Sequence, residues 1–290
     1  MSGAEPEELA RFRARVRSWL AENTPSGWKE RLLHADESEA LRFFQDWARK
    51  LHEGGLLVAH WPKEHGGGGA SLAEQVVIQQ ELTRADAPRP RYLAISLGHA
   101  AAALMEHGTP EQQKLLAGIL DGEVWCQGFS EPEAGSDLAS LRTRAERVGD
   151  HYVVNGQKIW SSMGIHARWC LLLARTDPAA PKHKGLSVFI LDMRSPGVEV
   201  RPIRQATGAC EFAEIFLTDV RIPVSMRVGA ENDGWRIAQT TLMTERFAQM
   251  VELQEGLSAL IRQLAAEARA TPAEGGGTLA DDGAFRQQLA

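Results

Sequence analysis

The chain has 290 residues, enough for two domains or one large one, and its 32 basic and 38 acidic residues give a formal net charge of -6. Because both charges are mixed along the chain, neither a nucleic-acid-binding stripe nor an anionic-membrane patch is expected. Cys126, Cys170 and Cys210 lie far apart and outside any Cys-x-x-Cys spacing, which argues against a disulfide framework or a metal site and favours a reducing, cytoplasmic compartment. No apolar run approaches the roughly 18 residues of a membrane span. These properties predict a soluble protein that acts on a small molecule.

The first 120 residues are predicted to be mostly helical. An amphipathic helix over "ELARFRARVRSWL" is followed by a second helix that ends at the pair Gly54-Gly55. Ser71 with Glu74, and Thr109 with Gln112, have the capping-box spacing that starts a helix, the latter ahead of "KLLAGIL". Between them, "AISLGHAAAALMEHG" is small and apolar enough to be a buried helix.

The pattern changes at Gly122 to short runs rich in β-branched and aromatic residues, which predict a compact β-domain. Turns are predicted at Gly149-Asp150 and Asn155-Gly156. After Pro223 the periodicity is helical again, and "AFRQQLA" reads as the start of a further helix. The predicted fold class is α+β, with an all-α domain over 1–120, a β-barrel or sandwich-like middle domain over 121–228, and the start of a helical bundle over 229–290.

Several motifs together resemble those of the acyl-CoA dehydrogenase family across nearly the whole chain. They are "WCQGFSEPEAGSDLASLRTRAERVGDHYVVNGQKIWSSMGIHARW", "GLSVFILDM", "DVRIP" and "TTLMTERF". The resemblance implies an FAD-dependent enzyme that forms an α,β double bond in an acyl-CoA thioester. A base would remove the proton from Cα while a hydride leaves Cβ for the flavin nitrogen N5.

The resemblance also implies the flavin contacts. The implied cofactor-binding residues are Gln127, Phe129, Ser130, Ser136, Trp160, Ser161 and Ser162. The first three would line the pyrimidine edge of the flavin, Ser136 would also face the thioester, and the indole of Trp160 would stack near the ring. The sequence departs from the family pattern at Gln127, where an aromatic residue is often found, and at Glu133, where glycine is common. Without the resemblance, "FSEPEAGSD" is an ordinary turn and Trp160 an ordinary residue of the β-core.

The implied catalytic base is Glu245. In the isovaleryl and long-chain branches of the family, the catalytic glutamate lies on the first helix after the β-domain, immediately before an arginine, and "TLMTERF" places Glu245 and Arg246 there. Burial between the flavin and the acyl chain would make such a carboxylate a stronger base. The implied substrate contacts are Ser136, Glu245 and Arg246, and no metal site is expected. The alternative is a surface Glu-Arg pair on a helix.

The resemblance further indicates the substrate and the partners. Residues 89–103 match the region that sets acyl-chain length, and the alanines of "LGHAAAAL" predict room for a long, branched or polycyclic acyl group, such as a steroid side chain. The implied partners are the acyl-CoA substrate, an electron-transfer flavoprotein as acceptor, and other subunits of a homo- or hetero-oligomeric dimer or tetramer. The helical bundle of the family extends further than these 290 residues, so we expect a fragment or a partner-dependent chain that is inactive alone. A non-catalytic subunit and a flavin-dependent acyl-CoA oxidase remain alternatives.

Overall fold

The computed structural model describes residues 6–273 and 276–289, and for residues 243–252 it describes the backbone alone. The described α-helices are α1 (Glu7–Asn23), α2 (Trp28–Leu33), α3 (Glu37–Glu53), α4 (Leu72–Arg84), α5 (Ala101–His107), α6 (Pro110–Gln113), α7 (Leu116–Leu120), α8 (Gly234–Ala270) and α9 (Gly283–Leu289). The described strands are β1 (Trp125–Gly128), β2 (Arg144–Val148), β3 (His151–Ser162), β4 (Trp169–Arg175), β5 (Leu186–Asp192), β6 (Val198–Ile203), β7 (Phe212–Pro223) and β8 (Arg227–Val228). Within the described ranges, none of the helices combines the length and the apolarity that crossing a lipid bilayer requires. Helices therefore precede and follow the strands, as the sequence predicts.

The chain divides into two compact units. The first contains Met1–Trp28, Ala70–Pro88 and Phe247–Ala290, and the second contains Lys29–Gly69 and Arg89–Arg246. The helices over 29–69 and 89–120 thus group with the strands. The domain boundaries at 120/121 and 228/229 stay predictions.

In the first unit, a buried carboxylate joins α1 to α4. Glu81 is 3% exposed and accepts hydrogen bonds from Arg17 Nε at 2.8 Å and from Arg13 Nη1 at 3.1 Å. The hydrogen bond from Arg17 lowers the pKa of Glu81 below its ordinary value, although burial opposes that shift. Charge-assisted pairs of this kind are the stronger hydrogen bonds of proteins, so the pair fixes the packing of the two helices.

The predicted helix starts are confirmed. Ser71 Oγ accepts from the backbone N–H of Glu74 while the Glu74 side chain accepts from the N–H of Ser71, and Thr109 and Gln112 form the same reciprocal pair. The second predicted helix, α3, ends as expected, because Gly55 takes a φ of 69° that few other residues adopt.

Two predicted helices have a different internal structure. The buried segment "AISLGHAAAALMEHG" begins as a π-helix, Ile95–Ala100, and continues as α5. Ser96 anchors it, since its hydroxyl donates to Glu123 O at 3.0 Å and accepts from Trp125 N at 2.8 Å. The helix predicted to start at Thr109 and continue through "KLLAGIL" divides into α6 and α7, because between them Leu115 N bonds the carbonyl three residues back and tightens the turn.

Within the described residues the eight strands form one sheet in the order β6-β7-β3-β2-β4-β5-β8, with β1 paired to β4 in parallel. The predicted turn at Gly149-Asp150 joins β2 to β3. The rings of Tyr152 in β3 and Phe189 in β5 lie 4.8 Å apart although their strands are not neighbours. The sheet therefore folds over a shared core, which gives the sandwich-like β-domain that the sequence predicts.

Strand β4 separates two cores. Successive side chains of a strand point to opposite faces, so Leu171 and Leu173 pack with Leu104 of α5 and Ile119 of α7, all fully buried. The alternate positions of the strand, such as Leu172, face the interior of the folded sheet. This burial on both faces explains the continuous apolar run "CLLLA".

The turn predicted at Asn155-Gly156 is wrong, because β3 continues through both residues. A β-bulge interrupts the pairing with β7 at this point. Asn155 Nδ2 donates to Asp219 Oδ1 at 3.0 Å, and Asn155 Oδ1 accepts from Asp219 N at 2.9 Å. A Cβ on Gly156 would lie 2.4 Å from Thr143 Oγ1. The asparagine thus secures a bulge, and the glycine permits a close approach.

Candidate active site

The loop after β1 and the end of β3 lie side by side in the second unit, joined by three hydrogen bonds. Ile159 N donates to Ser130 O at 2.9 Å. Lys158 Nζ donates to Phe129 O at 3.1 Å and to Glu131 Oε1 at 2.9 Å. Three successive residues of the loop are therefore held by two successive residues of the strand. The two segments implied by the family resemblance form one surface.

The loop itself is a tight turn. Glu131 N donates to Ala134 O and Ala134 N donates to Glu131 O, each at 3.0 Å. Further along, Asp137 accepts from Lys182 Nζ at 2.8 Å, and this hydrogen bond holds the pKa of Asp137 below its ordinary value. Ser136 is exposed between these two anchored points. The backbone around Ser136 is therefore held in place, while its hydroxyl group is accessible to a ligand.

Trp160 lies outside the β-core, so its interpretation as an ordinary core residue is wrong. Its side chain is 57% exposed and its ring packs edge-on against Phe212, with centroids 6.1 Å apart. The backbone has a φ of 60°, and the β3–β7 pairing shifts register between Lys158 and Ser161. A bulky residue at positive φ is strained, and such strain concentrates at functional sites. The bulge presents a large, flat, apolar ring to a ligand.

Two buried polar atoms, one in β1 and one in β3 next to Trp160 in sequence, lack partners. Among the described residues, Gln127 Nε2 and Ser161 Oγ are shielded from solvent and make no hydrogen bond. Leaving a buried donor unpaired costs about 1–3 kcal/mol, so a ligand with complementary acceptors would stabilise both groups. The flavin of FAD has ring nitrogens and carbonyl oxygens along one edge and a flat apolar face. Phe129, buried, and Ser130 and Ser162, half-buried, complete a set of residues that fits that group.

A buried ion pair lies under the loop. Lys158 is fully buried and Glu131 is 9% exposed, and Glu131 also accepts from Arg142 N at 2.7 Å and Thr143 N at 2.9 Å. Burial raises the pKa of Glu131, but the charge of Lys158 and the hydrogen bonds outweigh it and leave the pKa below its ordinary value. Burial lowers the pKa of Lys158, and Glu131 opposes that shift. The sequence patterns did not single out this pair; its signal is a lysine at an inward position of a strand.

The side chains of the implied base and its neighbour fall outside what the structure describes. Glu245 and Arg246 belong to α8, in the stretch 243–252 where only the backbone is described. One face of the preceding turns of α8 is buried, with Ile237 and Thr241 both at 0% exposure. The roles of Glu245 and Arg246 stay predictions.

The segment implied to set acyl-chain length has one packed side and one open side. Ala100, Ala101 and Ala103 are fully buried in the helical core. Gly98 is only half-buried, and a Cβ at Gly98 would meet no atom within 4 Å. The three buried alanines therefore face the helical core, whereas the Cα of Gly98 faces open space.

Known proteins match this chain in sequence and in structure. Residues 6–123 match the family described as acyl-CoA dehydrogenase, N-terminal domain, and residues 126–220 match acyl-CoA dehydrogenase, middle domain. The chain is 41% identical over 289 residues to acyl-CoA dehydrogenase IpdE1 of Mycobacterium tuberculosis, a match that covers 98% of this chain and 73% of IpdE1. It is 53% identical over 200 residues to acyl-CoA dehydrogenase FadE34 of the same species, covering 68% of this chain and 28% of FadE34.

Two solved structures have the same fold as this chain. The structure titled Tcur3481-Tcur3483 steroid ACAD superposes with a TM-score of 0.81 at 34% identity and covers 100% of this chain and 72% of its own. The ChsE4-ChsE5 complex from Mycobacterium tuberculosis gives a TM-score of 0.83 at 32% identity, with 100% and 73% covered. The two matching domains and these relatives together show that the chain belongs to the acyl-CoA dehydrogenase family of FAD-dependent oxidoreductases.

Proposed function

We propose that this chain is the flavin-binding and substrate-binding part of an acyl-CoA dehydrogenase that acts on a long, branched or polycyclic acyl group. The observation that carries the proposal is the surface built by the loop after β1 and the end of β3. There an outward-facing tryptophan at positive φ immediately precedes Ser161, whose buried Oγ is unpaired, and β1 contributes the unpaired buried atom Gln127 Nε2. An ordinary β-core would cover the first and satisfy the others.

Each residue has a role in this proposal. When bound, FAD accepts the hydride from Cβ of the substrate. Trp160 covers a ring face and excludes water, while Gln127 and Ser161 hydrogen-bond the polar edge of the ring. Ser136 donates towards the thioester, and Glu245 takes the proton from Cα. Arg246 adjoins the base on the same helix and contacts the substrate.

The substrate class rests on the open space at Gly98. A glycine with nothing within 4 Å of its missing Cβ leaves room that a larger side chain would fill. A related structure is titled a steroid ACAD, which supports a steroid side-chain CoA ester as the representative substrate. Each further buried CH₂ of the acyl group adds about 0.8 kcal/mol of binding free energy, so an acyl group that fills the space beside Gly98 would be favoured by its size.

A second candidate function is that of a partner-dependent subunit, which is active only when it is assembled with another chain. Leu253, Leu257, Leu260 and Leu264 of α8 are 38–64% exposed and recur at intervals of four, three and four residues. This spacing is typical of a helix that packs along another helix. The titles of the related structures name two-component assemblies, Tcur3481-Tcur3483 and ChsE4-ChsE5. We propose that this leucine row is covered in a homo- or hetero-oligomer, and that an electron-transfer flavoprotein accepts the electrons.

The proposal is tested by comparing acyl-CoA substrates on the complete assembly. We expect kcat/KM for a steroid side-chain CoA ester to exceed that for butyryl-CoA by more than about tenfold. Gly98→Leu should lower the first value and leave the second nearly unchanged, because the added side chain fills only the space for the large group. Butyryl-CoA as the best substrate would refute the substrate class. Rapid reoxidation of the reduced flavin by air would favour an acyl-CoA oxidase.

A further inference from the structure

The buried side chain of Lys158 fixes the direction of one peptide group at the flavin surface. The carbonyl of Phe129 is turned towards Lys158 Nζ at 3.1 Å. In a planar trans peptide the carbonyl and the following N–H point in opposite directions, so the N–H of Ser130 points away from Lys158. The next carbonyl, that of Ser130, is held by Ile159 N at 2.9 Å. Both ends of Ser130 are thereby oriented.

We infer that Lys158 is a positioning residue for the cofactor: its ammonium group holds the Phe129–Ser130 peptide so that the N–H of Ser130 is presented to the polar edge of the flavin. Lys158 is 0% exposed, so it acts through this peptide and does not touch the ligand. The inference rests on the proposed function, since it presupposes that FAD binds at this surface.

Stability alone does not account for the pair. A buried ion pair is often no more stabilising than apolar residues of the same volume, whereas removing one partner leaves a costly unpaired charge. Here the lysine divides its hydrogen bonds between a carboxylate and a backbone carbonyl of the loop. Glu131 balances the charge and also holds two N–H groups where the chain leaves the loop, at Arg142 and Thr143. The lysine is thus the member of the pair that orients the Phe129–Ser130 peptide.

The test separates orientation from stability with two variants of the complete assembly. Lys158→Met removes the donor and leaves Glu131 uncompensated, so both the melting temperature and the FAD affinity should fall. Lys158→Met combined with Glu131→Gln restores charge balance without a donor at position 158. We expect that double variant to recover most of the melting temperature but to bind FAD at least about tenfold more weakly than the wild type, by titration of the apoprotein. The reduction potential of its bound flavin should also become more negative, because a donor to the polar edge stabilises the reduced, electron-rich ring.

Lys114→Met is the matched control. Lys114 forms an exposed ion pair with Glu111, outside the loop after β1 and outside β3, so its loss should leave FAD affinity within about twofold of the wild type. A double variant with wild-type affinity and potential would overturn the inference while leaving the proposed function intact. A wild-type assembly that does not bind FAD would overturn the proposed function and the inference with it. Should Lys158→Met fail to fold, the double variant carries the same comparison.

Discussion

Replacing Trp160 with alanine should weaken FAD binding strongly while changing the stability of the fold little. A fully buried aromatic side chain removes about 150–250 Å² from water, so the 57% of Trp160 left exposed corresponds to about 85–140 Å². Covering that area with the flavin contributes up to about 2–3.5 kcal/mol at roughly 25 cal/mol per Å². Trp160→Ala should therefore raise the FAD dissociation constant by up to roughly 30- to 300-fold.

The assay is a titration of the apoprotein with FAD, followed by flavin fluorescence, together with a thermal melt. The melting temperature should change little, because the ring makes only an edge contact with Phe212 and is mostly exposed. Trp28→Ala is the control, since Trp28 lies in the first unit, where its Nε1 donates to Asp86 O at 2.9 Å. Its loss should leave FAD affinity unchanged. If Trp160→Ala retained wild-type affinity, the ring would not cover the flavin.

Two further substitutions test the framework of the site and of the first unit. Gly128→Ala should destabilise the protein by about 1–3 kcal/mol and weaken FAD binding, because the added Cβ would lie 2.9 Å from Cys170 Sγ. The control Gly135→Ala should be tolerated, because its Cβ would meet no atom within 4 Å. Equal melting temperatures of the two variants would contradict this reasoning. Since its folded pKa is lowered by Arg17, Glu81 stabilises the fold above its unfolded pKa of about 4.3, and that contribution is lost as the pH falls through the folded value. Glu81→Gln should therefore lower the melting temperature at pH 7 and flatten its decline below about pH 4, and parallel declines would be the contrary result.

Local signals in the sequence were sufficient for the helix starts and most strands. A capping box needs only two side chains three positions apart, so Ser71 with Glu74 could be identified before the fold was known. The same local reasoning failed at Asn155-Gly156. There the partner of the asparagine is Asp219 and the neighbour of the glycine is Thr143, both remote in sequence. A dipeptide pattern carries no information about such contacts.

The site was predictable in part. The family resemblance indicated Trp160, but the exposure of its ring depends on a bulge that forms against β7. The pair of Lys158 and Glu131 was missed, because a lysine in a strand and a glutamate in a turn are each ordinary until the fold buries them together. The sequence patterns therefore could not predict contacts between residues that are far apart in the chain.

In the proposed function, Glu245 and the surface formed by the loop after β1 and the end of β3 act together to dehydrogenate an acyl-CoA. The most direct measurement is the anaerobic loss of flavin absorbance after the complete assembly is mixed with a steroid side-chain CoA ester. The wild type should bleach within its turnover time, while Glu245→Gln should bind FAD and substrate nearly as well but bleach several orders of magnitude more slowly, because only proton abstraction is lost. Equal bleaching rates would show that the base lies elsewhere, and a wild-type flavin that no acyl-CoA bleaches would contradict the proposed activity.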